Sequence, residues 1–357
     1  MTPSSPDELS PHAVIIPSVV GTGRGDLGLL TLGKLGAVRR HPRPHQIDWG
    51  QGPYLVGKGT ERFSRPLERM NLDRLADGAD TRALTYATLG VLLGPGNHRV
   101  SIMVGFPVQV LARREQALTV LRGLRQWLKG EHAFTLNDVQ VNLEIINIQA
   151  MAQPAGTLFA WGLNDGGQWV RTARDLKTLT GILDIGFNTL DLFAVESGQV
   201  VEKYTAGDTA GVRRATEILR QEVQRVYQVD ISHHQADAFL HARRPVLAVA
   251  EGDVALRPLV QQSLEHAGRG IQTFVESRWG NGRQFRRILV TGGGAPLFRK
   301  WILELLPHAV VLPEPVTANA LGLARYGKRV FQKPEGMAVG LDPGFGGFKA
   351  VALEQEG

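Results

Sequence analysis

Two stretches of this chain are near copies of one another, and the repeat limits the folds open to it. Residues 183–196 read LDIGFNTLDLFAVE and residues 341–354 read LDPGFGGFKAVALE; aligned without gaps they agree at six of fourteen positions, Leu, Asp, Gly, Phe, Ala and Glu. Each begins with an apolar run ending in Asp (GILD, AVGLD), turns through glycine, and returns as a second apolar run. That pattern predicts a β-hairpin with an acid at the end of its first strand. A turn of small residues leaves backbone N–H groups pointing outward, able to cradle phosphate oxygens. The adjacent Asp can hold a hydrated divalent cation against those oxygens. Two such hairpins facing each other would clamp a polyphosphate between two domains.

A length of 357 residues predicts about two domains of ordinary size. A hydrophobic share of 43% is ample for real cores and excludes the disordered class. The chain has no Cys, so disulfides and Cys-ligated metals are excluded, which fits a reducing cytoplasm. No apolar run approaches the ~20 residues of a membrane span. Residues 1–12 are polar and Pro-containing, expected as a disordered lead or linker rather than a signal peptide. The net charge of +6 is moderate, with Lys and Arg scattered among acids, so direct nucleic-acid binding is not indicated.

Along the chain, HAVIIPSVV (12–20) reads as a strand, and short strands and loops follow. GPYLVGKG (52–59) is a near miss to the P-loop: Gly59 stands where Ser or Thr would bind magnesium, and no helical run follows. A strand with a Gly turn is the expectation there. Helical spacing covers 80–93 and 115–129, the latter with Leu118, Leu121, Leu124 and Leu128 on one stripe. Strands are expected at 99–108 and 141–148, and a helix over 152–163 opening near Pro154. Beyond the central hairpin come helices at 209–226, 256–279 and 317–331. Between them lie a short strand pair within 245–254, a buried strand running into Thr-Gly-Gly-Gly (286–297), and a strand at 309–312. Strands alternating with helices make an α/β protein.

Asp-x-Gly alone is weak, since turns use both residues for backbone reasons. In combination, the two hairpins and the Thr-Gly-Gly-Gly turn resemble the nucleotide site of the superfamily that joins actin, the heat-shock chaperone ATPases and the sugar kinases. The resemblance implies an actin-like (ribonuclease H-like) two-domain α/β fold with a nucleotide cleft between the domains. The first phosphate motif would be Asp342, Gly344, Phe345, Gly346, Gly347 and Lys349, and the second Asp184, Gly186, Asn188, Thr189 and Asp191. The adenosine motif would be Thr291, Gly292, Gly293 and Gly294. Relatives place a Glu or Gln at the start of a connecting helix to orient the attacking water, and Gln153 of QPAG occupies that place. A neutral Gln would position water by hydrogen bonds; Gln149 is the alternative, and a surface Gln at a helix start is the plain reading. Asp184 and Asp342 would share a hydrated Mg²⁺, and Lys349 would meet a phosphate as a point charge. ATP or GTP is the implied cofactor, and nothing here reads the base.

Within that superfamily, IIPSVVG, YLVGKG, VGFPV, ANALGLARYG and the Asn-Thr-Leu-Asp of the second motif look like the bacterial and archaeal actin-like filament proteins of the ParM type. This implies a Mg-dependent ATPase that polymerises with itself, in plasmid or DNA segregation through a DNA-bound adaptor, or in a bacterial cytoskeleton. The alternatives are a small-molecule kinase on the same fold, for which no sugar-binding stretch stands out, and a non-polymerising nucleotide-binding scaffold. One departure is that the first phosphate hairpin closes this chain instead of opening it. MAVGLD (337–342) reads like an ordinary start and EQEG would run into HAVIIPSVVG, so a circularly permuted order is expected. The expected division is 13–165 with 317–357 as one domain, including the hairpin 339–354, and 178–316 as the other. His233-His234 lacks a third ligand at metal spacing, so exposed histidines are expected, and the Arg213-Arg214 and Arg286-Arg287 pairs are expected to be solvated.

Overall fold

Alternating apolar runs and amphipathic stretches become two β-sheets with helices packed on them in the computed structural model, which describes residues 13–23, 42–67, 74–112, 114–209, 211–331 and 336–354. The expectations for 1–12, 24–41 and most of the QKPEG link lie outside the described residues. The chain opens with β1 (Ala13–Pro17), β2 (Val20–Thr22), β3 (His45–Asp48), β4 (Tyr54–Val56), α1 (Arg74–Asp77) and α2 (Ala79–Leu93). Next come β5 (Gly96–Phe106), α3 (Val108–Ala112), α4 (Arg114–Leu128), β6 (Gly130–Leu136), β7 (Val139–Ala152), α5 (Gln153–Gly162) and α6 (Ala173–Lys177). The middle holds β8 (Thr180–Ile185), β9 (Leu190–Glu196), β10 (Gln199–Val200), β11 (Ala206–Asp208), α7 (Val212–Tyr227) and α8 (His233–His241). The rest is β12 (Val246–Val249), β13 (Gly252–Ala255), α9 (Arg257–Trp279), β14 (Arg287–Thr291), α10 (Ala295–Leu305), β15 (Ala309–Val311), α11 (Ala318–Val330), β16 (Met337–Pro343) and β17 (Gly347–Leu353).

Both expected hairpins form, β8 with β9 and β16 with β17. The larger sheet runs β1-β17-β16-β5-β7-β6-β3-β4-β2, and the second runs β10-β9-β8-β14-β15 with β11 also on β9. In chain rank the second sheet reads 3-2-1-4-5. The first five strands of the larger sheet repeat that order when β16 is counted first. Strand directions repeat as well: two antiparallel pairings, then two parallel ones, in each sheet. Parallel strands covered on both faces need continuous apolar runs, which is what GILD, ILVT and AVGLD supply. One core gathers Leu84, Leu89, Ile102, Phe106, Leu128 and Phe348 around the larger sheet; another gathers Leu183, Ile185, Leu219, Ile271, Ile288 and Phe298 around the second.

The α4 stripe departs from expectation. Its buried face is Ala117, Val120, Leu124, Trp127 and Leu128, while Leu118 is 44% exposed. Trp127 decides the rotation: its ring packs edge-on to Tyr86, and its Nε1 donates to the Ala76 carbonyl at 2.9 Å. The P-loop-like stretch is strand β4 followed by a turn with Gly57 and Gly59 at positive φ, as a strand with a Gly turn requires.

Two helices join the sheets. α5 leaves β7 and leads through α6 to β8, and α11 leaves β15 and leads to β16. They cross backbone to backbone: a Cβ on Gly322 would lie 1.7 Å from the Gly156 carbonyl oxygen. Among the described residues no helix is long and apolar enough to cross a membrane.

Candidate functional site

Each hairpin carries its acid at the end of a first strand, and the crossing helices bring the two ends together. Asp184 and Asp342 are 5% and 2% exposed and line one cavity of about 210 Å³. The turn after β8 adds Gly186, Asn188 and Thr189, and the turn after β16 adds Gly344, Phe345, Gly346 and Gly347, with Lys349 behind. Gly292 and Gly293 enter from the turn after β14, and Gln153 from the first turn of α5. Gln149 sits exposed on β7, away from the cavity.

Three sequence-predicted residues do not line the cavity. Asp191 is fully buried opposite Asp184 in the hairpin register and accepts from the Val108 N–H at 3.2 Å. Thr291 donates to the Pro315 carbonyl at 2.8 Å, and Gly294 caps α10 with its N–H on the Ile185 carbonyl at 2.8 Å. Thr291 and Gly294 are engaged by these bonds, and Asp191 is enclosed in the hairpin, so the three support the wall without forming it.

Local structure fixes the lining. The carbonyls of Gly186 and Phe187 accept the first N–H groups of α7 at 3.0 and 2.7 Å, so the second turn caps that helix. Arg213, at the same helix start, donates to Asn188 Oδ1 at 3.0 Å instead of standing solvated. Arg287 likewise ion-pairs with Asp175 at 3.1 Å and lies over the Trp161 ring. Ser18 Oγ donates to the Gly344 carbonyl at 2.6 Å and pins the first turn. A Cβ at Gly346 would come within 2.8 Å of Phe187 Cβ, so the two turns meet across the cavity. Gly292, at φ +91°, is obligatory because a Cβ there would lie 2.4 Å from Asp184 Oδ1.

The carboxylates have separate partners. Gln153 Nε2 donates to Asp342 Oδ1, while Lys349 Nζ lies 3.2 Å from Asp342 Oδ2. Asn319 Nδ2 donates to Asp184 Oδ2 at 2.7 Å. Burial, and then the charge of Asp342, push the Asp184 carboxyl up to about 6, against the opposing pull of Asn319 and Lys349. Burial and the Asp184 charge raise Asp191 well above the usual carboxylate range.

Two buried carboxylates facing one lysine leave negative charge to be matched, and an all-oxygen donor set suits a hard divalent cation. Among the described residues no cluster of three or more His, Cys, Asp or Glu forms a protein cage for a metal. A cation here would keep waters and take further ligands from a phosphate, the habit of Mg²⁺. The residues present therefore fit a Mg²⁺–polyphosphate.

Sequence reading missed Asp237, His241, Asn319, Phe187 and Val212, all in the lining. Burial pushes the Asp237 carboxyl up, and His241 Nε2 lies 3.6 Å from its Oδ1. His233, expected at the surface, is 8% exposed, with Nδ1 2.9 Å from Thr216 Oγ1 and its ring edge-on to Phe187. Its apolar neighbour Phe187, itself placed by the hairpin turn, makes burial favourable. A larger and more open cleft of about 1760 Å³ lies among α5, α6 and strands β8–β9, walled by Leu158, Trp161 and Phe193. Volume favours it, but of its two lining carboxylates, Asp175 and Glu202, the first is paired with Arg287 and neither belongs to the repeated hairpin motif, so the chemistry assigns the site to the smaller cavity.

Comparisons with known proteins agree with the fold. The chain matches the family of archaeal actin homologues, MreB-like, C-terminal, over residues 182–304, and the family of actin-like protein N-terminal domains over residues 6–156. Among solved structures it is similar to the archaeal actin homologue Ta0583, with 17% identity and a TM-score of 0.65, over 89% of this chain and 93% of that one. It is also similar to ParM of a 15-stranded filament from Clostridium botulinum, with 18% identity and a TM-score of 0.66, over 88% and 93%. Ta0583 solved with ADP shows 16% identity and a TM-score of 0.62, over 87% and 97%. No curated protein sequence matches the chain. The chain has an actin-like fold, and its two matched segments are similar to those of actin-like families, consistent with a bacterial or archaeal actin-like protein.

Proposed function

We propose that the chain binds Mg²⁺ with ATP or GTP between its two sheets and hydrolyses the nucleotide in step with self-assembly into a filament. The observation that carries this is the convergence of Asp184 and Asp342, from equivalent hairpins, on one cavity where Gln153 is bonded to Asp342. Asp184 and Asp342 would hold Mg²⁺ through water, and that cation would balance phosphate charge. The turn amides at 187–189 and 345–347 cradle phosphate oxygens, with Lys349 as a point charge, while the Gly186 and Gly344 N–H groups close their own turns on the Thr189 and Asp342 carbonyls. Gly292 and Gly293 let the backbone approach the nucleoside, and Asp237 and His241 line the same cavity. Gln153 orients the attacking water by hydrogen bonding. Asp191, Thr291 and Gly294 act from behind the lining.

The filament relative supports self-assembly, and the ADP complex supports a nucleotide ligand. A DNA-bound adaptor in segregation, or a cytoskeletal role, in a cytoplasmic setting, is part of the same proposal and rests on the sequence's resemblance to ParM-type proteins. The division into 13–165 with 317–357, and 178–316, is supported by the two sheets. A circularly permuted order is supported by the strand ranks and by β16–β17 lying outside both matched segments. The test is light scattering with parallel phosphate release after Mg-ATP is added to the purified protein. Scattering should rise, release should follow, and Asp184→Ala should abolish both. Release with flat scattering at tens of micromolar would leave an enzyme without a filament. No release and no bound nucleotide would overturn the phosphate clamp.

A further inference from the structure

The two connecting helices share a pattern. α5 begins Gln153-Pro-Ala-Gly156 and α11 contains Asn319-Ala-Leu-Gly322, a carboxamide three residues before a glycine in each. Each helix follows the fifth-ranked strand of its sheet, and the two glycines meet at the crossing. Each carboxamide then donates to one of the site's carboxylates, Gln153 to Asp342 and Asn319 to Asp184.

The carboxamides differ in what lies behind them. Asn319 Oδ1 accepts from Thr157 Oγ1 at 2.7 Å, and Thr157 is fully buried one turn into α5. Thr157, Asn319 and Asp184 therefore form a buried chain of two hydrogen bonds, with Asn319 itself 4% exposed. A Cβ on Gly156 would lie 2.4 Å from the Asn319 carbonyl oxygen, so the backbone of Asn319 is clamped as well. An Asn held at both ends of its amide cannot turn to handle water. What it can do is aim the carboxylate it touches.

We infer that Asn319 is the positioning residue that aims Asp184 at the cation, with Thr157 on α5 fixing the Asn319 amide. The inference rests on the reading of the cavity as a Mg-nucleotide site. It makes α5 the common reference for both carboxylates, Asp342 through Gln153 and Asp184 through Thr157 and Asn319. A change in the crossing of α5 and α11 then moves both acids together.

The test measures ADP affinity by displacement of a fluorescent nucleotide, once with Mg²⁺ and once with EDTA, and takes the ratio. In Asn319→Ala that ratio should fall about tenfold, the weight of one hydrogen bond to a charged group, and in Thr157→Val about threefold to fivefold, the weight of a neutral one, with the EDTA arm nearly unchanged in both. Thr157→Ser, which keeps the hydroxyl, should retain the wild-type ratio. The double variant should match Asn319→Ala, because Thr157 acts only through Asn319. An unchanged ratio, an equal loss in both arms, or failure of Thr157→Ser to rescue would overturn the inference while leaving the nucleotide site standing. A wild-type protein without Mg-dependent binding would overturn both. Should Asn319→Ala not fold, the Thr157→Val and Thr157→Ser pair decides alone.

Discussion

Asp184 is the residue at which burial and function oppose each other. Its carboxyl is pushed from 3.8 to about 6 by burial and by Asp342. Between those values the folded chain holds a proton that the unfolded chain has released, so metal-free stability falls as pH rises from about 4 to about 6 and is flat above. The difference of roughly two units corresponds to about 3 kcal/mol. Asp184→Asn should therefore be more stable than the wild type in EDTA at pH 7.5, by up to about that amount, with the gap closing near pH 4. Urea midpoints at the two pH values measure it, and a gap that ignores pH would refute the assignment. Asp184 and Asp342 were legible in the sequence because a gapless repeat brackets both. Asp237 and His241 were not, since only the packing of α8 against α7 and α9 brings them to the cavity lining, and no local pattern encodes that packing.

At the scale of elements, the crossing of α5 and α11 is set by glycine. Ala has the higher helix propensity by about 1 kcal/mol, and at Gly322 the close approach of the Gly156 carbonyl leaves no room for its methyl. Gly322→Ala would place a methyl 1.7 Å from the Gly156 carbonyl oxygen, and overpacking of that kind costs about 1–3 kcal/mol or more. A net loss of about 2 kcal/mol is expected in urea unfolding. Gly270 in α9 has open space around its Cβ, so Gly270→Ala should instead gain up to about 1 kcal/mol. Equal responses at the two sites would mean that the crossing tolerates separation. Most of the long elements are legible from period and turn residues, whereas β6, α8 and α10 are not read from the sequence. The α4 face was misjudged because leucine spacing was weighed and Trp127 was not. The pairing of β6, β3, β4 and β2 onto the larger sheet was not legible either, since apolar runs separated by long connections do not declare their neighbours.

At the scale of the whole molecule, the larger sheet's side meets the second sheet's side at the α5–α11 crossing, where α3 abuts β9 and β11, where the two hairpin turns touch, and through an exposed contact at the surface. There Ser232 Oγ, at the N-cap of α8, donates to Glu61 Oε1 at 2.7 Å, and this exposed bond spans from the larger sheet's side to the second sheet's side. Opening of the two sides about the α5–α11 crossing would have to break this exposed bond. Glu61→Ala should speed release of a fluorescent nucleotide about fivefold, the effect of roughly 1 kcal/mol, with little change in melting temperature. Glu61 is the cleaner side to alter because Ser232 also caps α8 through the Gln235 N–H. Stopped-flow release from the unassembled protein measures the effect, and an unchanged rate would remove this contact from the opening barrier. Assembly that favours the closed arrangement would do the work of the lost bond. The fivefold difference should then shrink in pelleted filaments, and a difference that persists undiminished would mean that filament contacts do not act on the cleft.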